Sequence, residues 1–194
     1  MTTTTSTPRV WIGCLAAHNA GTLHGEWMDA TDPDDLADAV AAMLERSPEP
    51  DAEEFHVCDY EGFHGCTVDR YDSTDRIAAL GAALAEADDP DALAAWLAYD
   101  CTRYEQLRDD PDAFRDVYLG HYDSAEDFAQ EYATEDGPRG LSTVYTECGP
   151  FQFSTDHASY VDWQQIATDY QCGGCTFDFL EAPGVAGVYA FTVR

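Results

Sequence analysis

Within eleven residues the chain sets out four side chains of zinc-ligand type: His56, Cys58, His64 and Cys66, in an H-x-C…H-x-C pattern. On a strand, His56 and Cys58 would share a face. The spacing nevertheless matches no common zinc module, and a strand His and Cys more often pack or sit half-exposed. Cys172-Gly-Gly-Cys175 is a lone CxxC that supplies two ligands where a structural zinc site wants four. Cys148 could be a third, no clear fourth lies nearby, and the segment lacks the βαβ setting of a thioredoxin-like redox motif. The run Asp32-Pro33-Asp34-Asp35-Leu36-Ala37 lacks the loop-turning Gly of a calcium loop and has Pro where the backbone must bend. It reads as a helix start. No GxSxG, Walker or GxGxxG signature occurs, and carboxylates are too numerous to single out an acid–base pair. No catalytic residue, metal or cofactor is therefore expected.

The charge is the stronger signal. The 194 residues hold 38 Asp and Glu against nine basic residues, all of them Arg, for a formal net charge of −29. The acids are spread: 14 with three Arg in 1–70, ten with three Arg in 71–110, and 14 with three Arg in 111–194. A disordered acidic tail is not their source. With 45% hydrophobic and 12% aromatic residues the chain should fold. A compact state that keeps such an excess is destabilised by its own field, so the excess is expected to serve a positively charged partner. Nucleic acid and anionic membrane are disfavoured. No stretch of 18 apolar residues exists and Thr2–Thr7 lacks the apolar core of a signal peptide, which points to a soluble cytoplasmic protein. Seven Cys, an odd number, fit reduced thiols.

The elements that must position these acids follow from periodicity. Val10–Ala16 and Leu23–Asp29 read as strands joined by a turn around Asn19-Ala20-Gly21. Asp32 can cap a helix with Pro33 in its first turn, and Leu36, Ala39, Val40 and Met43 share a face, which carries the helix to about Arg46. Asp34, Asp38 and Glu45 then point to water, the first two about 6 Å apart along the axis. A third strand is expected at Phe55–Tyr60. Helices follow over 74–87, with Ile77, Leu80 and Leu84 inward, and after Asp89-Pro90, with Leu93, Trp96, Leu97, Cys101 and Tyr104 as one stripe. Beyond Asp110-Pro111-Asp112, short helices are expected at 112–118 and 124–133, a loop at 137–155, a helix near 157–170 and a terminal strand at Gly187–Val193. These elements divide into an N-terminal α+β domain (1–70), a helical middle domain (71–110) and a C-terminal α+β domain (111–194).

Five blocks then resemble, in order, successive landmarks of the ArdA antirestriction proteins: VWIGCLAAHNAGTLHGEWMDA (Val10–Ala30), HVCDYEGFHG (His56–Gly65), YLGHYDSAEDFAQEYATEDG (Tyr118–Gly137), VDWQQIATDY (Val161–Tyr170) and GVYAFTVR (Gly187–Arg194). They span nearly the whole chain. The resemblance implies an elongated α+β chain of three small domains that forms a homodimer. It implies a surface that imitates bent B-form DNA and occupies the DNA-binding groove of the specificity and methyltransferase subunits of type I restriction–modification enzymes, without catalysis. Such proteins are typically carried by mobile elements and protect incoming DNA. The Ala-rich middle, the loop 137–155 and an inserted stretch at Gln171–Val185 depart from the family pattern.

The charge arithmetic agrees. Duplex DNA presents one charge per about 1.7 Å of axis, so 29 net charges match roughly 50 Å of duplex and a dimer roughly 100 Å. The acids expected to carry the imitation are Asp34, Asp35, Asp38 and Glu45 on the first helix; Asp109, Asp110, Asp112 and Asp116 at the domain junction; and Glu126, Asp127, Glu131, Glu135 and Asp136 in the last region. Exposed charges each contribute little and are screened, so no single carboxylate should decide binding. C-terminal aromatics are expected mainly in the core, the remainder being available as dimer anchors. Two other readings compete: an acidic cytoplasmic protein of a salt-adapted or high-GC organism, and a metal-dependent regulator using His56, Cys58, His64 and Cys66. Salt adaptation needs no long-range order of carboxylates, whereas imitation needs them in rows.

Overall fold

The computed structural model describes residues 7–135, 141–146, 149–172 and 177–193. It is an α+β protein built from small antiparallel sheets and packed helices, and its contacts divide it into two compact units, Met1–Ala98 and Tyr99–Arg194. Among the described residues no helix is long and apolar enough to cross a membrane.

The first unit contains β1 (Arg9–Cys14), the short α1 (Leu15–Asn19), β2 (Gly25–Asp29), α2 (Pro33–Glu45), β3 (Phe55–Glu61), α3 (Thr74–Glu86) and α4 (Pro90–Tyr99). Its sheet runs β2-β1-β3, antiparallel throughout, with Val10 opposite Met28 and Tyr60, and Ile12 opposite Val57. Alternation sends Val10 and Ile12 into the core while Arg9 and Trp11 face the other way. Leu36, Val40 and Met43 of α2 and Ile77, Leu80 and Leu84 of α3 complete that core, as their spacing requires. The first strand stops at Cys14, short of the expected Ala16, because the Cys14 thiol accepts a hydrogen bond from the Ala17 amide at 3.5 Å and starts α1. Gly81 sets how closely α3 approaches the strands: a Cβ there would stand 1.9 Å from the Ala30 carbonyl oxygen.

The helix after Pro90 ends at Tyr99, before the expected Cys101 and Tyr104. The Asp100 carboxylate accepts hydrogen bonds from the Thr102 amide (2.8 Å) and hydroxyl (2.9 Å), a local turn that competes with helix continuation. The amide, then the hydroxyl, hold this carboxyl below its ordinary pKa. Thus Cys101 is exposed, and a separate α5 (Arg103–Asp109) opens the second unit.

There, β4 (Tyr118–Tyr122), α6 (Ala125–Glu135), β5 (Leu141–Thr146), β6 (Gly149–Ser154), a 3-10 turn (Thr155–Tyr160), α7 (Trp163–Cys172), β7 (Phe177–Leu180) and β8 (Val188–Thr192) follow. One sheet has the order β4-β8-β7; β5 and β6 form a separate hairpin. The core gathers Phe128, Ala129, Ala167, Tyr170, Phe177 and Ala190. Phe128 meets Phe177 edge-on, with ring centroids 4.9 Å apart. Most C-terminal aromatics are thus interior, while Phe151 and Tyr160 are exposed.

Several expectations here are corrected. Residues 112–118 form turns and the start of β4, which the sequence reading missed. The expected loop 137–155 contains the β5–β6 hairpin, whose Ser142, Thr143 and Val144 are buried. The helix near 157–170 is divided: the 3-10 turn comes first, and the Asp162 carboxylate then accepts from the Gln165 amide at 3.0 Å to start α7. The stretch Gln171–Val185, read as an insertion, holds β7, with Phe177 opposite Thr192 and Leu180 opposite Tyr189.

Because the Ala30 carbonyl leaves no room, Gly81→Ala should destabilise the fold by about 1–3 kcal/mol through overpacking, read as a lower denaturant midpoint. Phe128→Ala should cost about 3–5 kcal/mol.

Candidate acidic surface

Helix α2 presents its carboxylates because of how it starts. Asp32 stands outside the helix, and its carboxylate accepts from the Asp34 amide (2.9 Å) and the Asp35 amide (3.0 Å). Pro33 occupies the first turn, where its missing N–H costs nothing. Asp34 and Asp35 favour the positive end of the helix dipole. At 3.6 residues per turn, Asp34, Asp38 and Glu45 lie within about 40° of one another, roughly opposite the buried Leu36, Val40 and Met43. Asp34, Asp35, Asp38 and Glu45 are all exposed. Four carboxylates then span about 16 Å of axis, against about five phosphates on one DNA strand of equal length.

The group at 109–116 is weaker than its acids alone imply. Asp109, Asp110, Asp112 and Asp116 are exposed. Arg108 donates to Asp109 at 3.1 and 3.0 Å, and Arg115 lies 3.5 Å from Asp112. The Asp110 carboxylate accepts from the Asp112 amide at 3.1 Å. These pairs are exposed, so they cost the carboxylates little freedom while halving the local net charge.

On α6, Phe128, Ala129 and Ala133 turn inward, and the exposed Asp127 and Glu131, one turn apart, turn outward. The Ser124 hydroxyl accepts from the Asp127 amide at 3.1 Å and donates to the Asp127 carboxylate at 2.6 Å, so Asp127 also serves the helix start. Glu126 is only half exposed. Glu135 closes α6, and Asp136 lies outside the described residues.

Strand pairing brings together further acids that periodicity in the sequence does not reveal. Asp29 and Glu61 flank Arg9 across three strands, and Asp59 stands opposite Trp11. Arg9 bonds Glu61, and Arg46 bonds Glu26. Only the registers, which depend on a shift between Trp11 and Ile12, reveal this row.

The four residues of zinc-ligand type do not converge. His56 is buried and lies 3.0 Å from the Cys58 thiol through Nε2. His64 is committed to Asp91, with Nδ1 2.7 Å from the carboxylate. Cys66 is buried, and burial pushes its thiol up to about 11. Among the described residues no group of three or more His, Cys, Asp or Glu could hold a metal ion. Of the CxxC, Cys172 is exposed, whereas Cys175, like Cys148, lies outside the described residues.

Fold and surface together define a small-sheet α+β protein that displays carboxylates from capped helices. A family model described as Antirestriction protein (ArdA) matches residues 10–181. The chain belongs to this antirestriction family. No match was found among curated proteins.

Asp32→Ala should cost about 1 kcal/mol by removing the cap, whereas Asp38→Asn should stay within about 0.5 kcal/mol, both measured by denaturant unfolding. Burial first, then the Arg70 and His18 charges, depress the His56 pKa. The unfolded chain, with its histidine near an ordinary value of about 6.5, therefore takes up the proton first as pH falls. Stability from this source is complete above about pH 6.5 and is lost as pH drops below it. Unfolding midpoints measured from about pH 7.5 to about 5.5 should show this loss in the wild type and a flatter profile in His56→Gln.

Proposed function

We propose that the protein blocks type I restriction–modification enzymes by imitating B-form DNA in their DNA-binding groove. Membership of the ArdA family implies antirestriction against type I enzymes. The observation that carries the finer reading is the row on α2, with exposed carboxylates on one side and the buried Leu36, Val40 and Met43 on the other. A salt-adapted surface requires no such order. A rigid polyanion attracts the same Lys and Arg that grip phosphates, yet offers no base edges to read. Inhibition is accordingly indifferent to the enzyme's recognition sequence. Asp34, Asp35, Asp38, Glu45, Asp109, Asp110, Asp112, Asp116, Glu126, Asp127, Glu131, Glu135 and Asp136 form the distributed contact set. Asp109 and Asp112 contribute least because of Arg108 and Arg115. A homodimer doubles the length of the imitation, and no catalysis is involved.

Inhibition of a type I endonuclease should fall steeply with added salt, since the attraction rests on ion release. Asp38→Asn alone should change it less than about threefold. Combined neutralisation of Asp34, Asp35, Asp38, Glu45, Asp127 and Glu131 should abolish it with the fold retained. A flat salt response, or one carboxylate on which everything turns, would refute the distributed imitation.

A further inference from the structure

The described arginines are, with one exception, tied to carboxylates: Arg9 to Glu61, Arg46 to Glu26, Arg76 to Asp72, Arg103 to Asp178, Arg108 to Asp109 and Arg115 to Asp112. Arg70 has no ion pair among the described residues. In a chain of net charge −29 an arginine rarely lacks a carboxylate for want of supply, so its setting matters. It lines a cleft of about 430 Å³ with His18, His56, Cys58 and Tyr60.

A second feature of the cleft points to a ligand. His56 is 2% exposed, and its Nδ1 is buried with no hydrogen-bond partner among the described residues. Its Nε2 lies 3.0 Å from the Cys58 sulfur. Burial, the Arg70 charge and the His18 charge, in that order, lower the His56 pKa and disfavour its protonated form, and burial raises the Cys58 thiol against the pull of Arg70. A protonated thiol donates to the imidazole nitrogen, a better acceptor than sulfur, which leaves the ring proton on Nδ1. His18 packs edge-on against this ring, with centroids 4.9 Å apart. A buried N–H without an acceptor is costly, and a guanidinium that lines the same cleft without an ion pair, 5.8 Å from the Tyr71 ring centroid, complements a group rich in acceptor oxygens.

We propose that the cleft formed by His18, His56, Cys58 and Arg70 binds a small oxyanion of the phosphate or carboxylate class. The Arg70 guanidinium supplies charge and a planar donor fork, and His56 supplies an N–H donor. The Asp59 charge, which acts on Cys58, works against the anion. The site uses none of the acids assigned to the proposed imitation of DNA.

The test must separate binding from screening, because any salt relieves repulsion in so acidic a molecule. Inorganic phosphate and acetate are titrated separately into the full chain at constant ionic strength, with chloride as the exchanged ion, while imidazole nitrogen resonances and the unfolding midpoint are followed. Phosphate or acetate should shift the His18 and His56 signals saturably and raise the midpoint; the anion that acts identifies the source. Arg70→Gln should weaken the effect about tenfold or more, and Arg115→Gln, at an arginine of the second unit paired with Asp112, should leave it unchanged. Arg70 is exposed and its carbonyl accepts from the Val57 amide at 2.9 Å, a contact the substitution keeps. His18→Gln, also at an exposed side chain, gives a second variant, with a smaller loss expected. No saturable shift with either anion, or a shift undiminished in Arg70→Gln, overturns the proposal.

Discussion

Mutual repulsion among carboxylates is the constraint within which every other feature of this molecule must work. At physiological salt the screening length is about 8 Å, so neighbouring acids on one helix face repel while those on opposite faces barely interact. The force holding them in place is apolar: Val10, Ile12, Leu36 and Ile77 in the first unit, and Phe128, Tyr170, Phe177 and Phe191 in the second. The charged helices α2 and α6 are pinned from behind by such stripes, whereas α5 has no buried residue. The net charge is spread over the whole chain rather than gathered in one segment.

The acids divide by what their oxygens do. Asp32, Asp89 and Asp162 accept backbone N–H groups at the starts of α2, α4 and α7, and Asp100 closes a turn between two helices. Asp72 and Asp178 pair with Arg76 and Arg103 inside partly buried settings. These carboxylates maintain the fold. Among the described residues Asp34, Asp38 and Glu45 make no such contact, and the proposed function assigns them to the partner. An acidic count alone overstates what is available for imitation, because capping and pairing draw on the same residues.

Much of the first unit was legible in the sequence. Strict alternation around Val10 and Ile12, the Asp-Pro start of α2 and the 3.6-residue spacing of its apolar positions each admit one reading, and the exposed stripe of α2 follows from them. The second unit was harder. The hairpin strands around Thr143-Val144 sit in a stretch rich in Gly, Pro, Ser and Thr, and FDFL at Phe177–Leu180 is too short to show a period. Both form strands by antiparallel pairing with the strand that follows, β5 with β6 and β7 with β8, which no periodicity within either segment announces. The same limit hid the row of Asp29, Arg9 and Glu61, which exists only once three strands are in register. Local arginines, too, were counted in the sequence but not placed, so the discount on Asp109 and Asp112 emerged only with the fold.

The proposed mechanism makes the protein and a DNA duplex mutually exclusive occupants of one groove. The most direct measurement is displacement of a fluorescent duplex from a purified type I methyltransferase core, followed by anisotropy as the protein is added. The account predicts full competitive displacement, with the same potency against cores that recognise unrelated sequences. A ternary complex in which duplex and protein remain bound together would contradict it.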